Sequence, residues 1–280
     1  MKRLLTIFFC LICLTACKAP AKQGGVAATT APVAQFAQAI AQGTDVQITQ
    51  IISDSVSCLH DYSLSVRQME AVEKSELVLL SGAGLEEFME DALRGAKTVD
   101  CAEGVALHTT AHGDHSHIDP HIWLDPANAA IMAENICTAL TAAYPDHGDT
   151  FRANTDALVK RLTELKAWGE EELKNLSCRK LITFHDGFGY LASAFDLEII
   201  ASVEEESGSE ASAADLTEII GLVKEHGLTC VFTEVNGSDA AASVICAETG
   251  AESYTLDTAM SGDYFAAMEH NINTLKEALQ

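Results

Sequence analysis

The chain has 280 residues, 48% of them hydrophobic, and carries 17 Lys and Arg against 41 Asp and Glu, a formal charge of −24 at pH 7. An acidic excess of this size argues against nucleic acid or an anionic membrane surface as partner and suits a cationic ligand. Acidity also serves solubility in exported proteins, so the charge bounds the sign of the partner and little more.

Lys2 and Arg3 precede the apolar run LLTIFFCLICL, which is short for a bilayer span and is followed at once by small residues. That is the outline of a secretory signal over residues 1–16. Leu14-Thr15-Ala16-Cys17 resembles the lipobox of bacterial lipoproteins, in which cleavage falls just before an acylated cysteine. The resemblance implies that Cys17 is lipidated and that residues 17–25 tether the protein to a membrane on the outer side. Each buried acyl methylene contributes roughly 0.8 kcal/mol, so two or more chains anchor durably. Loss of Lys2 and Arg3 takes the formal charge from −24 to −26. Of nine cysteines, Cys10 and Cys13 leave with the signal and Cys17 is lipidated, leaving Cys58, Cys101, Cys137, Cys178, Cys230 and Cys246. An even number in an exported chain permits disulfides, with Cys58–Cys101 and Cys230–Cys246 as the expected pairs. Buried free thiols are the alternative.

Beyond the tether the pattern alternates. VAATTAP reads as a strand, APVAQFAQAIAQG as a helix, VQITQII as a strand that ends before the loop with Cys58 and His60. SVRQMEAVEKS is a helix, ELVLLSG a buried strand, GLEEFMEDALRG a helix, KTVDCA a strand. Asp125-Pro126 then reads as an N-cap with proline at the first helical position, opening PANAAIMAENICTALTAAYP. The preceding HTTAHGDHSHIDPHIW is a loop closed by that cap. TFRANTDALVKRLTELKAWGEEELKNL is a single helix, about 40 Å long at about 1.5 Å per residue. Alternation resumes with KLITF, GYLASAFD, EIIASV, SAADLTEIIGLVKEHG, TCVFTEV, DAAASVICAETG, ESYTLD and DYFAAMEHNINTLKEAL. The fold class is α/β: two mostly parallel sheets flanked by helices, one domain at 26–148 and one at 177–280, joined by a linking helix at 149–176.

Open parallel sheets gather ligand groups at the carboxyl ends of their strands. Leu59-His60-Asp61 and Phe184-His185-Asp186 both follow hydrophobic stretches, one in each domain. His121 precedes the capped helix, and Asp257 follows the last strand. Three imidazoles and a carboxylate in one interdomain cleft suit a borderline divalent metal such as zinc. Asp257 has a plainer use, capping the turn before Met260. A metallohydrolase would need a Glu beside its ligands on a helix, as in HExxH, and the chain has none, so the reading is of a binding protein and not an enzyme.

These motifs together carry a family resemblance: LHDYSL, SELVLLSGAGLEEFM, DPHIWLDP, TFHDGFGYLA, and CVFTEV followed by YTLD. The chain resembles the zinc- and manganese-specific solute-binding lipoproteins of bacterial ABC importers, most closely the zinc-uptake branch. The resemblance implies His60, His121, His185 and Asp257 as metal ligands, Zn2+ as cargo with Mn2+ as the alternative, and a rigid linking helix. It implies a monomeric, extracytoplasmic, lipid-anchored protein, on a periplasmic or Gram-positive surface, that serves a membrane permease and its cytoplasmic ATPase. A manganese-specific protein of the same family, or a surface adhesin with a structural metal, is the competing reading. The histidine-rich stretch, with His108, His112, His115 and His117, marks the zinc branch and implies a second, weaker capture site. Leu59 stands where some members of that branch have a glutamate, which leaves Asp257 or water as fourth ligand. Cys58, two residues from His60, could bind zinc as a thiolate.

Overall fold

The computed structural model describes residues 24–52, 62–112, 115–204, 211–235 and 237–280. The signal, Cys17, Cys58 and His60 lie outside the described residues. The N-terminal unit runs β1 (Val26–Ala28), α1 (Ala31–Ala41), β2 (Ile48–Gln50), α2 (Val66–Lys74), β3 (Leu77–Leu80), a 3-10 turn (Leu85–Met89), α3 (Glu90–Leu93), β4 (Thr98–Asp100), a hairpin of β5 (Thr109–His112) and β6 (His115–Ile118), and α4 (Pro126–Ala143). After the linking helix α5 (Gly148–Glu172) come β7 (Lys180–His185), α6 (Gly189–Ala194), β8 (Glu198–Glu204), α7 (Ala213–His226), β9 (Cys230–Glu234), α8 (Ala240–Thr249), β10 (Glu252–Leu256) and α9 (Tyr264–Leu279).

Each unit holds a four-stranded parallel sheet, ordered β2-β1-β3-β4 in the first and β8-β7-β9-β10 in the second. In both, the second strand of the unit lies on one side of the first and the later strands lie on the other. The winding therefore reverses between β1 and β3, and again between β7 and β9, and a reversal opens a crevice at the carboxyl ends of those strands. β7 ends on His185 and β9 on Glu234.

α5 buries Phe151, Thr155, Leu158, Leu162, Leu165 and Gly169, spaced alternately four and three, which is the stripe of a helix packed along one side. Complete burial of Phe151 and Leu162 contributes about 1.5–3 kcal/mol each. Gly169 sits where a Cβ would lie 2.4 Å from the Phe195 ring and 2.9 Å from Ile272, so the helix runs close against the second domain. One hydrophobic core reaches from Val26 to Leu279 through both domains. A smaller one, with Ile182, Phe184, Val203, Ile219, Val223, Val231 and Ile245, lies on the other face of the second sheet under α7 and α8. No described helix is long and apolar enough to cross a membrane.

Three expectations change. GLEEFMEDALRG is not one helix. Gly82, Ala83 and Gly84 all have positive φ, and Glu86 turns inward to accept the Ser81 and Gly82 N–H groups, which leaves a 3-10 turn and one turn of α3. The histidine-rich stretch is a hairpin rather than a loop, with Thr109 paired to Ile118 and His112 to His115. Cys101, Cys137, Cys178, Cys230 and Cys246 are free thiols, so Cys230 is not bonded to Cys246. Cys230 faces the Ala278 carbonyl of α9 in the shared core, whereas Cys246 packs on the smaller core. The two thiols lie on opposite faces of one sheet. Cys101 being free, its expected bond to Cys58 is not made either, and Cys58 itself lies outside the described residues.

Candidate metal centre

Asp125 accepts the Ala127 N–H at 2.9 Å and Pro126 stands at the first helical position, the cap expected from the sequence. That cap fixes the turn carrying Ile122, Trp123 and Leu124, all fully buried. The Trp123 indole N–H donates to the Thr258 carbonyl at 2.8 Å, and the Tyr264 hydroxyl donates to the Trp123 carbonyl at 2.8 Å. The segment after His121 is thus bonded to the residue after Asp257, across the domain boundary.

His121 meets His185 there. Their Nε2 atoms are 3.2 Å apart and the rings cross at 85°. Two zinc–nitrogen bonds of about 2.0–2.1 Å at a tetrahedral angle set their nitrogens about 3.3 Å apart, so the pair already has the edge length of a zinc tetrahedron. The other nitrogen of His121, Nδ1, lies 3.0 Å from Asp119 Oδ1, and the His121 backbone N–H donates to the same oxygen at 2.9 Å. A carboxylate on Nδ1 holds the proton there and leaves Nε2 with a lone pair. Burial alone would raise the Asp119 carboxyl, but its hydrogen bonds to His121 and the nearby His121 and His108 rings hold it below the usual range. Gly187 roofs the pair: a Cβ there would lie 2.5 Å from His185 Nε2 and 2.6 Å from His121 Cε1.

Asp257 follows β10, as expected. The buried Asn271 side chain clamps its backbone, accepting its N–H and donating to its carbonyl, each at 2.7 Å. Its Oδ1 accepts the Ala259 N–H at 2.7 Å, the capping use foreseen for it. Among the described residues no group of three His, Cys, Asp or Glu is arranged around a metal position, so His121 and His185 converge and the Asp257 carboxylate is not drawn onto them. β2 ends at Gln50, ten residues before His60, whereas His185 is the last residue of β7. His60 and Asp61 themselves lie outside the described residues.

His108 does not lie in a free loop. Its ring stacks on Tyr190 at 4.1 Å with the planes 4° apart, and its backbone N–H donates to the Tyr190 hydroxyl at 2.9 Å. For the hairpin histidines His112, His115 and His117 the backbone register is the finding. His112 stands opposite His115, and His117 two places further along the same strand, so the three positions share one face of the ribbon.

Several site residues were not singled out by sequence. Asp119 lies in the DPH of DPHIWLDP, two residues before a proposed ligand, and Gly187 in the HDG of FHDGFGY. Glu234, at the end of β9, accepts from Thr258 Oγ1 at 3.1 Å. The acidic and histidine side chains buried among the described residues are Glu86, Asp119, His121, His185, Asp186 and Glu234, with no buried Lys or Arg. Four buried carboxylates with no buried Lys or Arg to balance them favour a cation.

Two parallel-sheet domains on one long helix, with a cation-favouring imidazole pair between them, define a solute-binding protein for a metal ion. Residues 26–278 match the model of the family described as zinc-uptake complex component A, periplasmic (ZnuA), and the chain belongs to that family. It is therefore an extracytoplasmic solute-binding protein that takes up a metal ion, zinc in the family's description, for an ABC importer, and its members bind and do not catalyse. The zinc-binding lipoprotein AdcA of Streptococcus pneumoniae (strain R6) is 26% identical over 302 residues, 98% of this chain and 60% of AdcA. The iron-binding protein YfeA of Yersinia pestis is 29% identical over 83% of this chain and 76% of YfeA. A crystal structure of ZnuA superposes with a TM-score of 0.79 at 29% identity, covering 91% of this chain and 99% of that one.

Proposed function

We propose that the chain captures zinc between His121 and His185, with His60 and Asp257 completing the ligand set, and delivers it to the permease of an ABC importer. The observation that carries this reading is the Nε2 pair 3.2 Å apart, with Asp119 on the far nitrogen of His121. The Asp257 carboxylate, exchanging its contact with the Ala259 N–H for the ion, would supply the anionic oxygen. Four protein ligands close the sphere and leave no position for an activated water, which suits capture and release. AdcA, a zinc-binding protein by name, supports zinc over manganese. His112, His115 and His117 form a weaker collecting site on the hairpin, and His108 roots that hairpin on Tyr190. Cys17 carries the lipid anchor, and the protein works as a monomer whose cleft face meets the permease.

Titration calorimetry with zinc and with manganese tests the site. The parent protein should bind one zinc tightly, and alanine at His60, His121 or His185 should weaken that binding by about 100-fold or more, since one of four ligands is lost. Unchanged zinc affinity in any of the three removes that residue from the site, and tighter manganese binding reverses the choice of ion.

A further inference from the structure

Asp119 is almost wholly buried, 2% exposed, yet no Lys or Arg is buried among the described residues. Its Oδ1 takes two hydrogen bonds from one residue, the His121 backbone N–H and the His121 ring, which fix both the position of the backbone and the plane of the imidazole. Its Oδ2 is buried without a hydrogen-bond partner. Room for that oxygen exists because residue 189 is glycine, where a Cβ would lie 2.7 Å from Oδ2. Burying a carboxylate oxygen unsatisfied is destabilising, and packing alone gives no reason to retain it. Its geometry serves the neighbouring ring.

Building on the proposed zinc site, we infer that Asp119 is a positioning residue: it holds His121 as the Nδ1–H tautomer, with its Nε2 lone pair aimed at the ion before the ion arrives. Without this carboxylate the ring can turn about its side-chain torsions and place its proton on Nε2. That proton must then be moved, and the ring reoriented, before a metal bond forms. His121 Nε2 then stands at hydrogen-bond distance, 3.2 Å, from His185 Nε2, so its position is held in advance.

The test combines tautomer and affinity. In zinc-free protein with 15N-labelled histidine, at neutral pH, long-range proton–nitrogen correlation should show His121 as the Nδ1–H form. Finding Nε2–H in the parent overturns the inference whether or not any variant folds. In Asp119→Ala the Nδ1–H form should be lost and zinc affinity, measured against a fluorescent chelator, should fall by about 10- to 100-fold, the range for such outer partners. Asp119→Asn keeps an acceptor and drops the charge, and it should restore the tautomer and part of the affinity. Affinity within about twofold of the parent in Asp119→Ala, or an Asn variant no tighter than the Ala variant, overturns the positioning role. His121→Ala separates the two readings. If it binds zinc like the parent, the site itself is wrong; if it binds weakly while Asp119→Ala does not, only the role of Asp119 falls.

Discussion

Gly187→Ala places a methyl group against the two imidazoles proposed to hold zinc. The new Cβ would sit 2.5 Å from His185 Nε2 and 2.7 Å from His121 Nδ1, where ordinary contact begins near 3.4 Å. At least one ring must therefore move by about 0.9 Å, while metal–ligand distances tolerate only about 0.2 Å. A bound ion cannot keep both rings, so zinc affinity should fall by about 100-fold or more, roughly 2.8 kcal/mol at about 1.4 kcal/mol per tenfold. Overpacking itself costs about 1–3 kcal/mol, and the melting temperature of the zinc-free protein should drop only a few degrees. Calorimetric titration with zinc, beside circular dichroism of the zinc-free variant, separates binding from folding. A folded Gly187→Ala protein that binds zinc within about threefold of the parent would refute the placement of the ion between His121 and His185.

Glu86 is buried at the crevice between β1 and β3, and burial raises its carboxyl to about 7 despite hydrogen bonds from Thr29, Ser81 and Gly82. A folded-state value above the unfolded one means that its contribution to stability is complete below about pH 4.5 and is lost as pH rises to 7, a swing of about 3 kcal/mol. Glu86→Gln removes the ionisation but turns an amide N–H toward the Gly82 N–H, so urea denaturation should find it about 1 kcal/mol less stable than the parent at pH 4.5 and more stable at pH 8. A stability difference that does not change with pH would show that Glu86 does not titrate in this range. Thiol titration in denaturant without reductant should find at least the five thiols of Cys101, Cys137, Cys178, Cys230 and Cys246, and fewer than five would mean that a pair has formed. In the native protein Cys230, pushed up to about 11 by burial, should react slowly at neutral pH. Deleting residues 109–117 while keeping His108 should leave one tight zinc site and abolish weaker binding in an equilibrium titration. Loss of the tight site would show that hairpin histidines belong to it.

The alternation of elements was legible because each carries its own signal. The Asp125-Pro126 cap marks where α4 begins, and the four-three spacing from Phe151 to Gly169 marks a helix with one buried side. The two imidazoles were legible as well, because His185 ends an apolar strand and His121 precedes a cap. What escaped depends on partners distant in sequence. HTTAHGDHSHI lacks the apolar alternation of a half-buried strand, so its hairpin left no pattern, and its root is held by Tyr190, 82 positions from His108. Cys230 and Cys246 stand at a plausible separation, but only the packing shows that a sheet lies between them. Asp119 lay in plain view inside a recognised motif. Its service to His121 is set by a side-chain geometry that spacing does not specify.

Diffraction at the zinc absorption edge from crystals of the zinc-loaded protein would test the central claim most directly. The expected result is one fully occupied ion about 2.0–2.1 Å from Nε2 of both His121 and His185, with His60 and a carboxylate oxygen of Asp257 completing a tetrahedron. An ion of full occupancy held elsewhere, with His121 and His185 still facing each other across an empty gap, would contradict it.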